Sequence, residues 1–148
     1  MNIEEVLKMW KEDSIIDDLK LDDTTIKMAR IHSKYLELIT ISKMGKKKKD
    51  LAYKTLLKNK WLYYNGKLSQ EEIDLFGWAY DPFGGLNKPL KGDMNYYYDA
   101  DTDIQKMQAA LEYDKVLIET LEEIMGTIRW RHQNIGNIIK WRSFEAGV

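Results

Sequence analysis

The sequence contains no cysteine and no long apolar run. The absence of cysteine excludes disulfide bonds and thiolate metal sites, and it is typical of proteins from reducing compartments. No stretch reaches the roughly 20 apolar residues that a membrane-spanning helix requires, and the opening residues MNIEEVLKMW lack the pattern of a signal peptide. We therefore expect a cytoplasmic protein that does not enter a membrane.

Proline is scarce as well, and the only two prolines, Pro82 and Pro89, lie close together. Long helices are permitted on either side of that pair, so the fold class that we expect is all-α. The 148 residues suit a single domain. Within it we expect N-terminal helices with a basic segment over residues 1–66, a loop region over residues 67–100 and a C-terminal helix over residues 101–148.

Signals for catalysis or for a bound metal are weak. The two histidines, His32 and His132, are isolated, and Gly84-Gly85 does not fit the phosphate-binding pattern GxxxxGK followed by Ser or Thr. The acidic run that begins at Asp99 lacks the glycine at the sixth position and the glutamate at the twelfth position of a calcium-binding loop. We therefore expect no enzyme activity, no cofactor and no metal site.

What the sequence does contain is a concentration of positive charge in the segment Lys43–Lys67. The segment has nine lysines and one acidic residue, a formal charge of +8, whereas the whole chain sums to −1. Four aromatic residues share the segment. Lysines neutralise phosphates and aromatic rings stack on unpaired bases, so this composition is typical of a single-stranded nucleic-acid site. The candidate DNA-binding residues are Lys46, Lys47, Lys54, Lys58, Lys60, Trp61, Tyr63 and Tyr64.

Two other interpretations of this segment remain open. The lysines can form a solvated helix face with the aromatic residues in the core. Alternatively, the protein is an oligomeric adaptor whose lysine-rich helix binds an acidic protein partner. Helical geometry places Lys47, Lys54 and Lys58 close together on one face, with Lys60 to one side. This clustering favours nucleic-acid binding.

The first 66 residues predict helices with recognisable ends. Asn2 is suited to cap a short helix over residues 2–12, and the pair Asp22-Asp23 to cap a longer second helix. The sequence leaves open whether Gly45 interrupts the second helix. Asn65-Gly66 is typical of a left-handed C-terminal cap, so the second helix is predicted to end there.

The middle of the chain is predicted as a short helix followed by a loop. Ser69 begins a capping-box pattern, which predicts a helix to about Trp78. Prolines and glycines then predict a loop, in which residues 95–98 form at most a short strand. For the aromatic residues of this region we favour packing on a neighbouring subunit over contact with DNA: Trp78, Tyr80, Phe83, Tyr96, Tyr97 and Tyr98.

The C-terminal third, from Asp101 to about Ser143, predicts one long helix, which Asp101 or Asp103 is suited to cap. Apolar residues recur on a seven-residue register and form a face wide enough for a multi-helix bundle. At 1.5 Å per residue the helix is about 60 Å long, too long for this chain to cover alone, so we expect it to assemble an oligomeric bundle or ring. The candidate oligomerisation residues are Ile104, Leu111, Ile118, Leu121, Met125, Ile128, Ile135 and Ile139.

Four pieces of the sequence, taken in order, resemble the UvsY recombination mediator proteins of tailed phages. They are HSKYL at residues 32–36, LKNKWLYYNG at residues 57–66, DADTDI at residues 99–104 and WRSFEAGV at residues 141–148. The resemblance is spread over most of the chain at a similar length. Its clearest departure is the Pro/Gly-rich loop between about residues 76 and 92, which is longer here.

The resemblance implies a noncatalytic accessory protein of DNA recombination, repair and replication. Proteins of this family bind single-stranded DNA, a RecA-like phage recombinase and the phage single-strand-binding protein, and they help the recombinase replace that protein on DNA. The resemblance also implies a homo-oligomeric ring of six or seven subunits, with seven favoured, in the host cytoplasm.

The resemblance further implies which lysines contact DNA. The family's DNA-binding pattern, Leu-Lys-x-Arg/Lys before a double tyrosine, falls here on Lys58 and Lys60. Lysine at the second position keeps the charge of arginine but loses its planar, bidentate contact with a phosphate.

Overall fold

The structure is a computed structural model that describes residues 1–147. All regular secondary structure in that range is helical. The helices are α1 (Ile3–Asp13), α2 (Leu21–Tyr64), α3 (Gln70–Phe76), α4 (Met94–Ala100) and α5 (Thr102–Glu145), with a 3-10 turn at Lys91–Asp93. The prediction of an all-α fold is confirmed. None of these helices contains a segment that is long and apolar enough to cross a membrane.

Contacts along the chain divide it into two compact units. The first unit consists of Met1–Gly45 and Tyr113–Val148, and the second unit is Lys46–Glu112. The divisions fall inside α2 and α5, and so they differ from the segment boundaries expected from the sequence. Residues 67–100, predicted as a short helix followed by a loop, contain the predicted helix as α3 and a further helix, α4, that was not predicted. That the whole chain forms a single domain stays a prediction.

Three helices begin at the caps that the sequence predicts. The side chain of Asn2 accepts a hydrogen bond from the backbone N–H of Glu5 (2.8 Å), and the Glu5 carboxylate accepts one from the backbone N–H of Asn2 (3.0 Å). Ser69 accepts from the N–H of Glu72 at the start of α3. Asp101 accepts from two backbone N–H groups in the first turn of α5. Each cap satisfies N–H groups that have no partner inside their helix.

The long helix α2 begins earlier than predicted and is unbroken. It starts at Leu21, so Asp22-Asp23 lie in its first turn rather than at its cap, where their charges still oppose the helix dipole. The helix continues through Gly45. It ends before Gly66, whose φ of 67° is the left-handed conformation that glycine adopts readily.

Residues 95–98, expected to form at most a short strand, lie in α4 instead. A strand needs a second strand to accept and donate its backbone hydrogen bonds, and residues 1–147 contain no strand that could do so. Helical spacing places Met94 and Tyr98 four residues apart on one side. Met94 is buried and Tyr98 packs on the same cluster, so burial decides in favour of the helix.

The core of the first unit is built around Tyr35, which has no exposed surface. Its ring meets Trp10 of α1 edge to face at 5.5 Å between centroids. Its hydroxyl donates to Asp13 at 3.0 Å. Burial, and then this contact with Asp13, raise the pKa of the Tyr35 hydroxyl above its usual value. The ring therefore joins α1 to α2 with its polar atom satisfied.

The heptad register of α5 contributes to the same core. Five of the eight candidate oligomerisation residues are buried in the first unit against α1 and α2: Ile118, Leu121, Met125, Ile128 and Ile135. Ile104 is buried within the second unit, Leu111 is half-buried, and Ile139 is 47% exposed. The chain thus covers most of a face that we expected it not to cover without other subunits.

Replacing Leu121, which has no exposed surface, with alanine should lower the free energy of unfolding by roughly 2–5 kcal/mol, because it removes buried methyl groups and leaves a cavity. Leu75→Ala, at a leucine of α3 that is 83% exposed, is the matched control and should change it by less than about 1 kcal/mol. Urea unfolding at one fixed protein concentration measures both. If both variants lowered the free energy of unfolding equally, the burial of Leu121 in the core would be contradicted.

Candidate nucleic-acid interface

The basic segment presents three lysines on one exposed side of α2 within the second unit. Lys47, Lys54 and Lys58 are exposed and form no ion pair with any residue in the range 1–147. They are seven and four residues apart, which keeps them on one helix face. Lys46 lies beside them, half-buried, with Nζ 3.2 Å from the Asp50 carboxylate. Three positive charges thus face solvent without neutralisation from the described chain.

Trp61 extends this side of the helix with an aromatic surface. It is 46% exposed, and it follows Lys58 by three residues, so its ring lies on the adjoining part of the same face. The Nζ of Lys67 lies 4.5 Å from the centre of the indole ring. A cation beside an exposed ring is the arrangement that stacks a base while neutralising its phosphate.

Lys60 is not part of this surface. Its side chain is 4% exposed, and its Nζ lies 2.9 Å from both the Asp101 and the Asp103 carboxylates. The same atom lies 3.9 Å from the centre of the Trp78 ring. An α-helix turns by about 100° per residue, so Lys60 is rotated about 200° from Lys58 and points to the opposite side. The assignment of Lys60 to DNA contact is therefore corrected: its charge is used inside the protein.

Asp101 is the centre of this buried cluster. One carboxylate oxygen accepts the backbone N–H groups of Asp103 and Ile104 at the start of α5, and the other accepts from Tyr64 at 2.7 Å and from Lys60. Burial on its own would raise the pKa of the Asp101 carboxyl. Lys60, then Tyr64 and the backbone N–H of Ile104, outweigh burial and leave that pKa below its usual value. The carboxylate is therefore held in its charged form.

Tyr63 and Tyr64, also expected to contact DNA, are buried in the second unit. Tyr63 donates to the carbonyl oxygen of Ala79 at 2.5 Å, and its ring lies 5.0 Å from that of Trp78. Burial is the main reason that the pKa of each tyrosine hydroxyl is raised. Neither ring has a free face for a base, so both are corrected from DNA-binding residues to core residues.

The aromatic residues around the central region divide into two groups. Trp78, Phe83 and Tyr98 pack with Tyr63 and Tyr64 within their own chain, whereas a neighbouring subunit was the expected partner. Tyr80, Tyr96 and Tyr97 remain exposed.

The partners of Lys60, namely Asp101, Asp103 and Trp78, were not predicted from the sequence. One signal was available: Lys60 is out of phase with the other lysines along the helix, and a lysine on the apolar side of a helix requires an acid. The sequence has no signal that pairs it with the carboxylates some forty residues later.

Comparison with known proteins identifies the class. A family model described as "Recombination, repair and ssDNA binding protein UvsY" matches residues 9–148. The all-α protein with its exposed lysine face is therefore a DNA recombination and repair protein of a kind that binds single-stranded DNA.

Individual relatives agree over nearly the whole chain. The recombination protein UvsY of Enterobacteria phage T4 is 25% identical over 147 residues, which is 99% of each chain. A crystal structure of the bacteriophage T4 recombination mediator protein UvsY superposes with a TM-score of 0.84 at 25% identity, covering 99% of this chain and 98% of that one. A second crystal form gives 0.79 at 23% identity, with 98% and 99% covered. The chain belongs to the UvsY family.

Replacing Lys60 with methionine should lower the free energy of unfolding by roughly 3–5 kcal/mol, because it leaves the buried carboxylate of Asp101 without its counter-charge. Lys58→Met, two residues earlier at an exposed position, is the matched control and should change it by no more than about 0.5 kcal/mol. Urea unfolding followed by circular dichroism measures the difference. A Lys60→Met variant as stable as the control would contradict the buried ion pair.

The low pKa of Asp101 predicts how stability depends on pH. The folded pKa lies below the ordinary value of 3.8, so the ionised form contributes stability that is complete above that value and is lost as the pH falls from there through the lower pKa of the folded protein. Asp101→Asn should reduce stability at pH 7 and flatten its decline between about pH 5 and pH 2. Asp99→Asn, at an exposed carboxylate, is the control. Parallel pH profiles for wild type and Asp101→Asn would contradict the assignment.

Proposed function

We propose that this protein is a noncatalytic mediator that loads a RecA-like phage recombinase onto single-stranded DNA in place of the single-strand-binding protein. It acts during recombination, repair and replication in the host cytoplasm. The observation that supports this most directly is the exposed lysine face of Lys47, Lys54 and Lys58 in a chain of the UvsY family. This face offers charge for phosphates at a site that the chain's own acids leave uncovered.

The strand lies along this side of α2. Lys46, Lys47, Lys54 and Lys58 neutralise phosphates, and Trp61 stacks on a base. Lys60, Tyr63 and Tyr64 act indirectly, since their buried contacts fix the rotation of α2 and thereby turn the lysines outward. Single lysine–phosphate contacts are weak and sensitive to salt, so useful affinity requires several copies of the face on one strand.

A homo-oligomeric ring, with seven subunits favoured over six, supplies those copies. Because most of the α5 register is already buried, we assign the subunit contact to the apolar surface that stays exposed near the end of α5. Trp130, Trp141 and Phe144 are 64%, 62% and 74% exposed, and Ile139 lies among them. Trp141 and Phe144 stack at 5.8 Å between ring centroids. Exposed aromatic surface of this size is unusual on a monomer and suits a subunit interface.

The double variant Lys54→Ala plus Lys58→Ala should weaken binding to an oligothymidylate strand. It should also lower the slope of log affinity against log salt by at least about 1.4, or about 0.7 for each phosphate that the variant no longer neutralises. Lys8→Ala plus Lys11→Ala, which removes two exposed lysines of α1, is the control of equal charge. Fluorescence anisotropy at several salt concentrations measures both slopes.

Light-scattering mass of the same preparations, with and without the strand, tests the assembly. A ring-sized particle that takes up the strand at low salt and releases it at high salt supports the mediator. An oligomer indifferent to the strand would contradict strand binding and point instead to an adaptor that binds an acidic protein. A monomer would contradict the ring.

A further inference from the structure

A groove of about 670 Å³ lies within the second unit, beside the Pro/Gly-rich loop. Pro82, Leu86 and Pro89 form one part of its lining, and the rings of Tyr64, Tyr96 and Tyr97 form another. The groove is separate from the lysine face of α2 in its residues, and the function proposed above does not use it. Apolar and polar groups share its walls, and the prolines and rings among them offer flat surfaces that suit a planar ligand.

The aromatic side of the groove consists of one ring that is held in place by packing and one ring that is exposed. The Tyr97 ring packs edge-on against Phe83 at 5.2 Å and lies 6.3 Å from Tyr64, so it is held by the core of the unit. Tyr96, the neighbouring residue, is 74% exposed and has no ring partner within residues 1–147. A large exposed ring at the rim of an apolar groove is a stacking surface without an occupant.

The polar groups at the groove match a nucleotide. Asn87 and Asp93 line it and offer an amide and a carboxylate, groups that hydrogen-bond to the edges of bases. Lys88 and Lys91 belong to the same loop, are exposed and form no ion pair within the described chain. Asp81 and Asp93 stand at the two ends of the loop, and between them these two lysines are the only charged residues. The two lysines therefore offer positive charge next to the groove for a ligand with a flat head and a negative backbone.

We propose that this groove is a second contact for single-stranded DNA, in which one unpaired base stacks on Tyr96 while Lys88 and Lys91 neutralise the adjoining phosphates. The proposal rests on the strand binding proposed above and adds a site that reads a base rather than only charge. A peptide rich in proline would fill the apolar walls but would leave both lysines without a counter-charge, so the nucleotide is the better match.

The test compares two strands of equal length and charge, oligothymidylate and the same strand carrying abasic sites, on the full-length protein. Tyr96→Ala should weaken binding of oligothymidylate about tenfold, the loss expected for one stacked base, and should leave the abasic strand unaffected. Tyr96→Phe should restore the affinity, because it keeps the ring. Tyr80→Ala, at another exposed tyrosine of the second unit, should leave both affinities unchanged. Lys88→Ala plus Lys91→Ala should weaken both strands.

The outcomes separate this proposal from the general one. If Lys54→Ala plus Lys58→Ala weakens binding while Tyr96→Ala does not, the groove proposal is overturned and the lysine face stands. If the wild-type protein binds neither strand, strand binding itself fails. If Tyr96→Ala changes the light-scattering mass instead of the preference for bases, the groove is a contact between subunits and the proposal is overturned.

Discussion

The buried ion pair between Lys60 and Asp101 is the interaction on which the second unit depends. The Asp101 carboxylate has two tasks, since one oxygen caps α5 and the other receives Lys60 and Tyr64 of α2. A buried charge is tolerated only when such partners are complete, and no buried side-chain nitrogen or oxygen in the described chain lacks one. The start of α5 and the end of α2 are thereby fixed to one another.

This constraint explains how the lysines of one helix come to lie in two environments, buried and exposed. A helix in a small protein has one side that must be buried, and the rotation of α2 is set by the residues that make the buried contacts, Lys60, Tyr63 and Tyr64. Lys47, Lys54 and Lys58 are then left on the far side, facing solvent. Whether a lysine of this helix is buried or exposed depends on its angle around the helix axis rather than on its charge or its place in a motif.

The same distinction applies to the apolar residues of α5. A regular heptad pattern indicates that a helix face is covered, but it does not distinguish helices of the same chain from helices of other subunits. Here α1 and α2 cover much of that face within the first unit. Of the apolar residues left exposed toward the C-terminal end, Trp130, Trp141 and Phe144 fall outside the register from which the oligomerisation residues were chosen, whereas Ile139 belongs to it.

The sequence alone determined the helical class, the caps at Asn2 and Ser69, a cap at Asp101 or Asp103, and the end of α2 before Gly66, because these depend on periodicity and on hydrogen bonds within a few residues. It also contained the pieces that mark the UvsY family. Only the tertiary structure decided that Lys60 is buried, that residues 95–98 are helical, and that the α5 register packs on its own chain. Each of these depends on a partner distant in the sequence, and local sequence patterns do not predict which distant residues contact one another.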